Sequence, residues 1–97
     1  MTAPIVRAAA AADVEDAYRW YEAQRAGLGD DFLRALRRTV DSVCSSPKRH
    51  AVLHRQTRRA LVPRFPYAVF YRIMGESIVI VACLHGRRDP RIWRGRR

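Results

Sequence analysis

What this chain has least of is acid in its second half. Residues 48–97 carry thirteen cationic side chains against two acids, Glu76 and Asp89, whereas residues 1–47 set six arginines against seven acids. The formal charge of +10 therefore belongs almost entirely to the second half. This makes a polyanion or an acidic protein segment the expected partner. Lysine is nearly missing as well: Lys48 is the only one among nineteen basic residues. Arginine supplies instead a planar donor fork suited to phosphate and carboxylate.

Other scarcities narrow the class further. No apolar run approaches the roughly 18 residues of a membrane span, and the N-terminus lacks a basic-then-apolar leader pattern, so a cytoplasmic protein without membrane association is expected. The two cysteines, Cys44 in a helical pattern and Cys83 in an apolar strand, occupy positions of small core residues and have no metal-ligand spacing. His50 and His54 lie four apart without a helical pattern or nearby acid ligands, so neither a metal site nor any cofactor is expected. No repeat or low-complexity linker divides the chain, and 97 residues make one domain, 1–97, with a two-layer core.

What is present is organised around Arg58 to Pro90, where apolar strand-like runs are bracketed by arginines. Tyr67 to Ile73 and Ser77 to Leu84 are rich in β-branched and aromatic residues, and Met74-Gly75-Glu76 between them reads as a hairpin. The second run is apolar at almost every position, which places it centrally, covered on both faces. Upstream, Pro4 to Arg7 is a short strand candidate. A helix over about Ala9 to Arg25 follows, with Val14, Ala17, Tyr18 and Tyr21 as its buried stripe and Trp20 off that stripe, packing under a neighbouring element. Gly27 reads as its stop and Gly29-Asp30-Asp31 as the cap of a second helix that ends at Ser45-Ser46-Pro47. Two helices joined by about three residues lie antiparallel. Ala51 to His54 and Arg58 to Phe65 add strands, with Pro63 and Pro66 marking a bend. The order gives an α+β fold: an N-terminal strand and an antiparallel helical hairpin packed on a small antiparallel β-sheet. The tail from Arg91 to Arg97 is too short and charged for an element of its own, with Ile92 and Trp93 available to pin it to the sheet.

Three constellations carry chemistry. Arg58, Arg59, Arg64, Arg72, Arg87, Arg88, Arg91 and Arg94 lie on strands or at their ends and would form one basic groove for nucleic acid or an acidic partner, as against a solvated edge that resists aggregation. His85, with Arg87, Arg88 and Asp89, would suit RNA cleavage through the substrate's own 2′-hydroxyl. Against this, a histidine that ends a strand, hydrogen-bonds backbone and sits beside an Arg88–Asp89 pair fits equally simple physics, and no second acid/base group is fixed next to it. The aromatics Phe65, Tyr67, Phe70, Tyr71 and Trp93 read mainly as core beneath the helices, although any exposed member would stack on bases.

The segments DVEDAYRWYEAQRAGLGDDF, RRALVPRFPYAVFYRI and VACLHGRRDPRIW, in this order and spacing, resemble the RelE/ParE superfamily of toxins from type II toxin–antitoxin modules, in its ParE-like branch, over roughly residues 5–93. The resemblance implies a toxin neutralised by a cognate acidic antitoxin in a hetero-oligomer, and growth inhibition through poisoning of DNA gyrase without a hydrolytic site. The alternative it carries is ribosome-dependent cleavage of messenger RNA. Position by position, that reading would assign catalytic roles to Arg59 and Arg88, with His85 substituting for a missing group. Ala68 and Leu61 stand where RelE-like members have arginine and lysine, and Trp93 or Arg94 near their tyrosine. A nontoxic RNA-binding or interaction module on the same scaffold is the third reading.

Overall fold

A computed structural model describes residues 3–97. Strand β1 (Ile5–Val6) leads into helices α1 (Ala8–Gln24) and α2 (Leu28–Ser45); β2 (Val52–His54), β3 (Thr57–Leu61), β4 (Tyr67–Met74) and β5 (Ser77–His85) follow, and a short helix α3 (Pro90–Arg94) ends the chain. The strands form one sheet in the order β1-β5-β4-β3-β2. From β2 to β5 it is the expected antiparallel meander. At the other edge β1 joins β5 in parallel, so the sheet is mixed, not wholly antiparallel. The reason is topological: the helical hairpin between β1 and the remaining strands carries the chain across the layer, and β1 and β5 therefore run the same way.

The hairpin packs on one face. Ala10, Ala17 and Tyr21 of α1 and Phe32, Ala35, Leu36 and Val43 of α2 are buried against Val69, Tyr71, Ile80 and Cys83. Tyr21, Phe32, Phe65 and Tyr67 form an aromatic cluster with centroid separations of 5.0–5.9 Å. The corner between the helices differs from the expected cap. α2 begins at Leu28 after Gly27, whose φ is 89°, and Gly29 lies inside the first turn. The free N–H groups there are met from α1: Glu22 accepts from Gly27 and Gly29 at 3.0–3.1 Å. The carboxylate satisfies orphan donors and faces the positive end of the helix dipole.

The opposite face carries a second, smaller core of Ala68, Phe70, Val79, Val81, Ala82, Leu84 and Trp93. A bulge at Val81, between the pairs Phe70–Ala82 and Tyr71–Ile80, puts two successive residues of β5 on that side. The tail is more ordered than its composition suggests. Asp89 caps α3 by accepting from the Arg91 N–H at 2.9 Å, and Trp93 stacks on Phe70 at 4.6 Å. Asp89 pairs with Arg91 here, not with Arg88. Arg96 pairs with Asp13 of α1, whose carboxylate also accepts from the Cys83 N–H at 3.0 Å, so α1 and the tail together close the outer edge of β5 beyond β1. Strand β3 ends at Leu61, earlier than Phe65, because Arg64 adopts a φ of 70° between the two prolines and turns the chain. Trp20 is not covered by a neighbour: it is 56% exposed, beside Tyr67 and His85 at the end of the sheet.

Candidate functional site

Strand alternation decides which arginines meet. In β3 and β4, Arg59 pairs with Phe70 and Leu61 with Ala68, which puts these four on the face away from the helices, while Arg58 pairs with Tyr71 and falls on the helix side. Trp93 stands on Phe70 at the middle of that open face and separates two hollows. The first is a groove of about 590 Å³. Leu53, Leu61, Phe65, Ala68, Phe70 and Trp93 make its floor and walls, and Arg59, Arg87, Arg88 and Arg94 stand along it. None of these four guanidinium groups has an ion-pair partner among the described residues. Leu61 is 68% exposed, a large apolar side chain held open to solvent in the middle of a cationic surface.

His85 borders this groove at the end of β5. Its Nδ1 accepts from the Arg87 backbone N–H at 3.0 Å, its carbonyl accepts from the Arg88 N–H at 3.0 Å, and the Gly86 N–H donates to the Pro66 carbonyl at 2.8 Å. The turn that presents Arg87 and Arg88 is thus fastened through the histidine. With Nδ1 accepting, the hydrogen of the neutral ring sits on Nε2, which leaves no free lone pair for a general base. Tyr67, edge-on to His85 at 5.5 Å, has its phenol pKa raised by burial and by Cys83, with Arg88 pulling the other way. It stays protonated at neutral pH.

The second hollow, about 460 Å³, lies across Trp93, lined by His54, Arg55, Thr57, Arg72 and the tail arginines Arg91, Arg94, Arg96 and Arg97. The eight arginines expected in one groove are therefore divided. Arg59, Arg87, Arg88 and Arg94 share the first hollow; Arg72, Arg91 and again Arg94 share the second. Arg58 reaches neither, because its side chain runs under the sheet and donates to the carbonyls of Lys48 and His50 at 3.3 and 2.6 Å. Arg64 lines neither hollow and stands exposed at the bend. Arg59, His85 and Arg88 do meet in one groove. The exposed apolar floor and the guanidinium groups of Arg55, Arg96 and Arg97 escaped the sequence reading. Alternation through Arg59 and Leu61 was the available signal for the floor.

Burial pushes the Cys83 thiol up to about 12, helped by Asp13, and burial with Asp41 raises that of Cys44, so both stay unreactive thiols at neutral pH. Among the described residues no three His, Cys, Asp or Glu side chains are grouped to hold a metal, and no helix is long and apolar enough to cross a membrane.

The family model described as the ParE toxin of the type II toxin–antitoxin system, parDE, matches residues 5–90. A solved structure described as the chromosomal ParDE TA system from P. aeruginosa aligns with a TM-score of 0.65 and 20% identity, over 88% of this chain and 96% of that one. At that identity the likeness speaks for the shared fold. No curated protein sequence matches the chain.

Proposed function

Because the chain belongs to the ParE toxin family of type II toxin–antitoxin systems, we propose that it is kept silent by a cognate acidic antitoxin seated in the first groove, and that once released it stops growth in the cytoplasm by poisoning DNA gyrase. The observation that carries this reading is the composition of the groove, an open apolar floor flanked by four unpaired arginines. An amphipathic segment with apolar anchors and flanking carboxylates would bury Leu61 and Leu53 and meet Arg59, Arg87, Arg88 and Arg94 at the margin. A disordered acidic segment that folds on binding suits such a surface. The floor beside Arg59 is apolar, and the Nδ1 of His85 is engaged by the Arg87 N–H, which favours a binding poison over a nuclease.

The convergence of Arg59, His85 and Arg88 supports the alternative, ribosome-dependent cleavage of messenger RNA, and the two readings separate by experiment. Induced expression is expected to stop division with broken DNA accumulating while protein synthesis continues, and His85→Ala should retain toxicity. Early arrest of translation with messages cut in translated frames, abolished by His85→Ala or Arg88→Ala in a folded protein, would establish the nuclease instead. Harmless expression would leave the interaction module.

A further inference from the structure

The second hollow shares only Arg94 with the antitoxin groove, and its composition is different in kind. Its lining contains six arginines, His54, Thr57 and Gly95, with no acid and no aliphatic or aromatic wall. Two of the six are already neutralised, Arg91 by Asp89 and Arg96 by Asp13. Arg55, Arg72, Arg94 and Arg97 have no carboxylate partner among the described residues. Arg72 is the most constrained of these. It stands on a central strand, half-buried, and its Nε is buried with no protein acceptor within hydrogen-bond distance. A buried cationic donor left without an acceptor is costly, and native structures keep such groups where something fills the need. Trp93 is stacked on Phe70 and Asp13 pairs with Arg96, which anchors the tail, and arginines from a central strand, an edge turn and the tail line one space.

We infer that this hollow, with Arg72 on its wall and Arg55, Arg94 and Arg97 around it, is a phosphate-binding site that meets the antitoxin groove only at Arg94. A peptide interface would need apolar anchors, and none lines this space. Phosphate needs only convergent donors and positive charge, with arginine its best-matched partner. The same chemistry is offered by a free phosphate compound and by the phosphodiester backbone of a nucleic acid. The site stands whether or not gyrase is the toxin's target.

The test is calorimetric titration of the full chain with pyrophosphate at constant ionic strength, followed by competition with a short DNA duplex. Saturable binding of one pyrophosphate is expected, weakened about tenfold or more by Arg72→Gln, as loss of a charged bidentate partner implies. Arg55→Gln, at an exposed turn and safe for folding, should weaken it by a smaller factor. Arg37→Gln, an equal loss of charge on the exposed face of α2, should leave it unchanged. A duplex that displaces pyrophosphate assigns the site to a nucleic-acid backbone; a duplex that fails to displace it assigns the site to free phosphate compounds. Non-saturable binding, equal weakening by Arg37→Gln, or poly-glutamate competing as well as the phosphates would overturn the inference.

Discussion

Arg58 and Arg59 are adjacent in the chain and have opposite fates, because successive strand residues point to opposite faces. Arg59 stands over the groove, whereas Arg58 donates to the Lys48 and His50 carbonyls beneath the sheet. That second arrangement reaches His50, whose pKa is lowered from 6.5 by burial first and then by Arg49 and Arg58. A lowered folded value means that the unfolded chain takes up the proton first. The stability is therefore fully present above about pH 6.5 and is lost as pH falls through the folded value. The midpoint of urea unfolding should drop between pH 7.5 and pH 5.5, and His50→Gln should flatten that drop; an unchanged slope in the variant would locate the effect elsewhere. Arg55 poses a different residue-scale case, holding a φ of 54° that glycine adopts without strain. Arg55→Gly should stabilise the fold by roughly 1 kcal/mol in the same assay while weakening pyrophosphate binding.

Among the elements, the corner between α1 and α2 is the tightest. A Cβ on Gly29 would lie 2.8 Å from two ring carbons of Tyr18 and 2.9 Å from Oε1 of Glu22, the carboxylate that caps α2. Alanine gains about 1 kcal/mol of helix propensity over glycine. Overpacking costs about 1–3 kcal/mol, and a disturbed cap costs about 1 kcal/mol more. Gly29→Ala should therefore destabilise by about 1–3 kcal/mol on balance, read as a lower urea midpoint. The apolar stripes of the helices and the dense runs of β4 and β5 made those elements legible in the sequence, since periodicity reports one buried face directly. β1 had only two residues, so neither its partner nor its direction was encoded locally. α3 is too short to be stable by propensity alone. It exists because Asp89 caps it, Trp93 is buried against Phe70 and Arg96 reaches Asp13 across the fold. Such long-range ties leave no periodic trace.

For the whole molecule, most of the cationic side chains of residues 48–97 are shared between two hollows that have Arg94 in common. Composition alone implied an anionic partner; pairing register and the path of the tail divide the arginines between two differently lined hollows. Between toxin and antitoxin, this arrangement separates rate from residence. Arg87→Gln at the margin should slow association severalfold, an effect that shrinks as salt is raised, with dissociation little changed. Leu61→Ala on the floor should chiefly speed dissociation. Surface plasmon resonance at two ionic strengths, with the cognate antitoxin as partner, measures both. Equal effects of the two variants on both rates would mean that the antitoxin lies elsewhere.

The two indoles sit in different surroundings, Trp93 7% exposed against Phe70 and Trp20 56% exposed beside Tyr67 and His85. The protein consequently carries two intrinsic fluorophores with separate emission colours. The blue one dims when the tail detaches from the sheet, and the red one, beside His85 and Arg88, shifts when a partner settles over that end of the sheet, so one unlabelled sample carries a signal for tail release and for partner arrival.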